Sequence, residues 1–587
     1  MRRLGRFLVS LLAVVGLLSL AGLGLGVWLA GHLSGKAGKG FPERAVLSLD
    51  LEAGFRETAE GDPLAMLSGE RSYGLRSVVD SLDRAAADPH VVGLFATLGH
   101  TSLGMAAAQD VRDAVIRFRA SGKPAVLFAE TLGEGGSGTL DYYLASAFGQ
   151  IWLQPSGEVG LTGLWAESPF IKGSLDLLGI KAQFSGRHEY KSAIDMFTET
   201  AFTPAHRENM GRLLDSLAEQ IAEGIVGGRG LSVDKVRDLM GKGPYLPSEA
   251  LSLALVDKVG YRDAAWNSVA GSDKDKAEEV DLAEYADLAP KAKGTRVALI
   301  TGIGAIHRGE SRHGLDGDGD FGSQTVADGF RDAIEDDSVK AILFRVDSPG
   351  GSYTASDTVW HEVQRAREAG KKVVVSMGNV AASGGYFVAM GADRIVAAPG
   401  TVTGSIGVFT GKMVMEEFWK KLGISWDELH RGDNAGLWSS NHPFSPAAKA
   451  RVDALLDQIY ADFTGKAAAG RGIPLDRLDK LARGRIWSGA DAKQAGLVDA
   501  VGGWSEAMVQ LRQVAGLKPD DSLDLVDFPR PRRPWELLAE ALGGGSVMER
   551  RQTRAALGAL ARLEPFLAVL TPSSGAPLRA PVPEGLK

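Results

Sequence analysis

Most of this chain is written twice. An apolar, β-branched run opens each half, RAVLSLDLEAGF from Arg44 and RVALITGIGAI from Arg296. DPHVVGLFATLG (88–99) corresponds to DSVKAILFRVDSPGG (337–351), and each is followed by a helix-periodic stretch and a short strand, PAVLFAE or KVVVSMG. The longest match sets DYYLASAFGQIWLQPSGEVGLTGL (141–164) against GGYFVAMGADRIVAAPGTVTGSIGV (384–408). The same interval separates Tyr142 from Tyr386 and Pro155 from Pro399. Further on, PYLPSEALSLALVDKVG matches RIWSGADAKQAGLVDAVG. The interval drifts only slowly, so one large domain has been duplicated, unlike the stacked short units of a solenoid.

Strands alternating with helices predict an α/β fold with a largely parallel sheet and right-handed connections in each copy. The pattern places the copies at 44–265 and 295–527, joined by a polar linker over 266–294 with at most a helical turn or two. Glycine supplies 75 of the 587 residues, about twice its usual share. Strand-to-helix turns, duplicated with the fold, account for part of that excess. The chain has no cysteine, which excludes disulfides, thiolate metal sites and cysteine nucleophiles. A net charge of -8 argues against a nucleic-acid partner.

The two ends lie outside the repeat. Phe7 to Ala30 carry no charge and follow Arg2, Arg3 and Arg6. A stretch this long spans a bilayer, and the positive flank keeps the N-terminus in the cytoplasm. Residues 1–31 therefore read as basic residues plus a transmembrane signal anchor, with a cleaved secretory signal as the rival. In a bacterium this makes a single-pass protein of the inner (cytoplasmic) membrane with its bulk in the periplasm. Residues 528–587 form an extension: PRPRRP, an amphipathic segment to about Leu570, and a Pro-rich tail expected to be disordered.

Chemistry is sought where the copies differ. After the strand AILFRV the second copy has Asp347-Ser348-Pro349-Gly350-Gly351-Ser352, where the first has Leu98-Gly99-His100-Thr101-Ser102. A Gly-Gly turn opening a helix aims backbone N–H groups at a carbonyl oxygen, although a plain tight turn has the same sequence. Ser383, in AASGGY, stands at a glycine-flanked turn between a strand and a helix, where it is either a nucleophile or a helix N-cap. Thr139 is its counterpart in the first copy. No histidine occurs between Arg394 and Val408, so a lysine of depressed pKa is the alternative base. Lys191 in RHEYKSA is the candidate, opposite Ala435 of the second copy; taken alone it is an ordinary surface amine. One copy has the lysine and the other the serine, which suits one composite site.

Together RVDSPGGS, GNVAASGGYFVA, GTVTGSIGV, EYKSA and RIWSGADAKQAGLVD resemble the signal peptide peptidase A family in its long, internally duplicated bacterial form. The resemblance runs from about Arg44 to about Val514 in the family's order. It implies two tandem copies of a Clp-protease/crotonase-like ββα superhelix preceded by one transmembrane helix. It also implies a serine–lysine dyad: Ser383 as nucleophile, Lys191 as general base, Ser405 orienting the lysine, and Gly350 and Gly384 as oxyanion donors. No metal or cofactor is implied. The expected substrates are cleaved signal peptides and other extended apolar peptides, and the expected assembly is a homotetramer. A crotonase-type acyl-CoA enzyme would share the fold but need a carboxylate acid/base. A non-catalytic membrane scaffold would need no site at all.

Overall fold

A computed structural model describes residues 41–57, 72–271, 276–289, 293–311, 320–530 and 577–579. The predicted anchor (7–30) and the amphipathic segment of the extension lie outside the described residues. Among the described residues no helix is long and apolar enough to cross a membrane.

Each copy is built on a sheet. The first runs β8 (Lys258–Val259), β6 (Gln150–Leu153), β5 (Ala125–Ala129), β4 (Val91–Thr97), β1 (Ala45–Asp50), β9 (Glu278–Asp281), every neighbour parallel. Beside it β2 (Gly54–Arg56) pairs with β3 (Ser72–Gly74). The second runs β19 (Ile486–Ser488), β17 (Val402–Gly404), β15 (Lys372–Ala382), β13 (Ala341–Ser348), β10 (Thr295–Ile303), β21 (Leu523–Phe528). Two more strands, β16 (Arg394–Ala397) and β20 (Ala500–Val501), branch from β15. Runs such as AILFRV and AVLFA are buried along their whole length, because helices cover both faces of a parallel sheet.

The helices repeat too. Pro204–Arg229 and Pro446–Arg471 each place proline in the first turn, an N-cap hydroxyl before it (Thr203, Ser445) and a left-handed glycine after it (Gly230, Gly472), the start and stop signals of a helix.

Of residues 266–294, expected to be a linker, those described at 276–289 differ from it. They complete the first sheet, with β9 parallel to β1 as β21 is to β10, and Leu282 and Tyr285 of the following helix join the core. The strand EEVD buries only Val280 fully, because an edge strand has one unpaired side and tolerates charge; hence its polar sequence.

The copies share a core. One apolar cluster takes in Leu47, Leu94 and Leu127 of the first sheet, Val297, Leu343 and Val374 of the second, and Trp504 and Leu511 from the helix Trp504–Val514. A second packs Ile300, Phe344 and Val375 against Phe387 and Phe463. Two smaller elements bridge toward the site. An antiparallel ribbon joins β7 (Lys181–Arg187) of the first copy to β18 (Val408–Val414) of the second. A small sheet orders β12 (Phe321–Gly322), β11 (Ile306–His307), β14 (Gly350–Ser352) and β22 (Pro577–Arg579). So the Pro-rich tail, expected to be disordered, contributes at least one strand.

Candidate active site

Ser383 sits between the end of β15 and the helix Gly384–Ala389. Its backbone lies at φ 56°, ψ −115°, a region a side chain enters at a cost of about 1–3 kcal/mol. The surroundings hold it there. Its N–H donates to the Gly404 carbonyl at 2.7 Å and its carbonyl accepts from Phe387 N–H at 2.9 Å. Gly384 has no room for a side chain: a Cβ would stand 2.7 Å from Ser356 Oγ and 3.1 Å from Gly350 Cα. The turn is thereby pressed onto β14. In the first copy Thr139 adopts no such turn; its hydroxyl is tied to the Gly163 backbone.

Lys191 follows β7 and reaches Ser383 across the copy boundary. Its Nζ stands 2.9 Å from three oxygens: Ser383 Oγ, Ser405 O and Ser405 Oγ. Lys191 is 1% exposed and Ser383 and Ser405 are 0% exposed. Burial pushes the Lys191 ammonium well below its ordinary value, and no other cause contributes. No carboxylate opposes that shift, so the amine tends to the neutral form.

Two oxyanion donors were expected. Gly384 is the first residue of its helix, so its N–H has no intrahelical acceptor. Gly350, at φ 101°, directs its N–H to Ser348 Oγ at 3.1 Å, and that hydroxyl donates to the Gly304 carbonyl at 2.6 Å. All five residues named from the sequence therefore occupy one locality.

Several groups that hold the site together were not anticipated. Gly484, at φ 86°, meets the backbone of Lys191, and its N–H donates to the Ile406 carbonyl at 2.8 Å. Asn209 of the first copy brackets Ile486 of the second, donating to its carbonyl at 2.8 Å and accepting its N–H at 2.9 Å. Asp347 accepts N–H bonds from Asn379 at 3.1 Å and Val380 at 3.0 Å, fixing the strand that leads to Ser383. Burial pushes its carboxyl up to about 6. A signal for Gly484 was present in the repeat: Gly243 holds the matching place before PYLPSEA.

A strained, buried serine at the start of a helix, with a buried lysine amine 2.9 Å from its Oγ, fits the class of serine peptidases. The model of peptidase family S49 matches residues 117–275 and 365–518, once in each copy. Protease 4 of Salmonella typhi is 30% identical over 524 residues, 84% of this chain and 82% of that one. The chloroplastic serine protease SPPA of Arabidopsis thaliana is 29% identical, over 81% of this chain and 70% of that one. A solved ClpP1 variant from Listeria monocytogenes, 13% identical, overlaps 36% of this chain and 94% of its own with a TM-score of 0.24, too low to bear on the fold. The chain belongs to peptidase family S49 and is a protein of the signal peptide peptidase A type.

Proposed function

We propose that Ser383 and Lys191 are the catalytic dyad of a membrane-anchored endopeptidase that degrades signal-peptide remnants and other extended apolar peptides. The observation that carries this is the 2.9 Å separation of Lys191 Nζ from Ser383 Oγ at a lysine that burial drives toward neutrality. A neutral amine has two N–H donors and one lone pair. Ser405 O and Ser405 Oγ take the donors, and the lone pair faces the Ser383 hydroxyl.

The steps follow from that arrangement. Lys191 takes the Ser383 proton as Oγ attacks the scissile carbonyl. The Gly384 N–H meets the developing oxyanion, and the Gly350 N–H joins it by exchanging Ser348 Oγ for the charged oxygen. Removing one such donor typically costs about 10²–10³ in rate. The lysine then protonates the leaving amine, and water hydrolyses the acyl-enzyme by the reverse transfers. In this reading the first copy (44–265) supplies the base and the second (295–527) the nucleophile, on Clp-protease/crotonase-like domains.

The uncharged stretch Phe7–Ala30 supports anchoring in a bacterial inner membrane with the site in the periplasm, beside the remnants it would clear. Assembly as a homotetramer rests on the family resemblance. A fluorophosphonate probe tests the dyad: covalent labelling at Ser383, lost in folded Lys191→Ala, is the expected result, and full peptidase activity in Lys191→Ala overturns it.

A further inference from the structure

Strand β15 does not run straight into Ser383. Its pairing with β13 jumps: Val346 lies opposite Met377, but Ser348, two residues on, lies opposite Ala381. On its other side β15 changes partner over the same stretch, from β16 up to Met377 to β17 from Val380. Gly378, Asn379 and Val380 therefore bulge out of the ladder, which re-aims the residues that follow. A bulge also leaves backbone N–H groups without a strand to bond. Here the Asp347 carboxylate takes two of them, Oδ2 accepting from Asn379 N–H at 3.1 Å and Oδ1 from Val380 N–H at 3.0 Å. Glycine is required at 378, where a Cβ would stand 2.6 Å from Asp347 Oδ2. The other copy completes the hold: Asn379 Oδ1 accepts from Ala107 N–H at 3.1 Å, in the first turn of the helix Met105–Ala120.

The first copy differs at each point. Leu98 holds the place of Asp347, its N–H continues the ladder to the Phe128 carbonyl at 3.1 Å, and β4 pairs with β5 without a jump. Bulge, carboxylate and nucleophile turn thus occur together in the second copy. We infer that Asp347 is a positioning residue for acylation: its carboxylate holds the bulge that delivers Ser383 to Lys191 and Gly350, and neutralising it lets Ser383 leave that alignment. This deepens the reading of Ser383 and Lys191 as the dyad and rests on it.

The charged groups that act on Asp347 are Glu57 and Arg345, and that guanidinium also faces Asp110 at 3.9 Å. The strands on either side set Ile303 and the bulge against it, none of them titratable. Burial first, then the Glu57 charge, pushes the Asp347 carboxyl up to about 6 against the pull of Arg345. Two groups, Lys191 and Asp347, must then lose a proton before Ser383 reacts. Each adds one to the limiting acid slope of log rate against pH.

The full chain is tested by the rate of Ser383 acylation with a fluorophosphonate probe from about pH 4 to about pH 9. Wild type should approach a slope of two in acid. Asp347→Asn has one acceptor in place of two and does not titrate. It should approach a slope of one and react about tenfold more slowly on the plateau, the cost of a buried N–H without a partner. A slope of one in wild type, or in Asp347→Asn a slope of two or the wild-type plateau rate, overturns the inference. Hydrogen exchange on wild type needs no variant. Protection of residues 378–383 should fall below about pH 6 while that of 341–346 on β13 holds, and equal pH dependence of the two segments overturns the inference. If the dyad assignment is what fails, Ser383 goes unlabelled in wild type at every pH, while exchange of 378–383 still follows the Asp347 charge.

Discussion

Gly484 and Lys191, one from each copy, meet backbone to backbone: a Cβ on Gly484 would stand 2.4 Å from Lys191 N and 2.6 Å from its Cα. The base is therefore located by a glycine in the copy that carries the nucleophile. Gly484→Ala should push Lys191 off Ser383 while leaving both cores intact. A displacement near 1 Å costs about 10²-fold in rate, so kcat on a peptide substrate should fall by about that factor. Circular dichroism and the melting temperature should show a folded protein.

Ser405 accepts from Lys191 through both its carbonyl and its hydroxyl. Ser405→Ala removes one acceptor and leaves a buried amine N–H without a partner, a loss of about 1–3 kcal/mol. The expected result is a ten- to hundred-fold drop in kcat with KM little changed, since Ser405 acts through the lysine. A change confined to KM would contradict that role.

Lys191 also has a signature in stability. Its folded-state pKa is depressed, so above that pKa the unfolded chain binds a proton that the native chain does not. Stability then rises with pH until the unfolded lysine itself deprotonates, near pH 10.4. In Lys191→Met that contribution is absent. The stability of wild type relative to the variant should climb with pH up to about pH 10, read by urea unfolding at each pH. A flat difference would mean that Lys191 is protonated in the native protein.

Arg345 joins the copies by charge. It is 1% exposed and holds Glu57 through two bonds, at 2.7 and 2.9 Å. Asp110 stands 3.9 Å away, and the guanidinium stacks 4.8 Å from the Trp504 ring centroid. Burial pushes Asp110 up to about 6 even beside this arginine. Arg345→Met leaves buried carboxylates without their counter-ion, which typically costs about 3–5 kcal/mol. Chemical denaturation should report that loss.

The site was legible where a motif is local. AASGGY, TGSIG and SPGG each mark a turn whose backbone requirement shows in a few adjacent residues, and the repeat pointed to Lys191 through what the other copy lacks. What joins the copies was not legible. The pairing of β7 with β18, the Asn209 bracket on Ile486 and the Arg345–Glu57 pair link residues more than two hundred positions apart. Nothing in either partner's own neighbourhood announces such a contact. The strand β9 was hidden for another reason: an edge strand with two exposed glutamates carries no apolar alternation. Once β9 is seen to repeat β21, the linker becomes the end of the first copy. The segment 577–579 offered a single proline, which marks an extended backbone but not its partner.

The central claim is that a neutral Lys191 activates Ser383, and the rate of Ser383 acylation by a fluorophosphonate probe across pH tests it most directly. The account predicts a rate that rises with pH to a plateau, with a midpoint well below the ordinary lysine value, and loss of labelling at every pH in folded Lys191→Met. Labelling of Lys191→Met at the wild-type rate, or a midpoint near that of a free lysine, would contradict it.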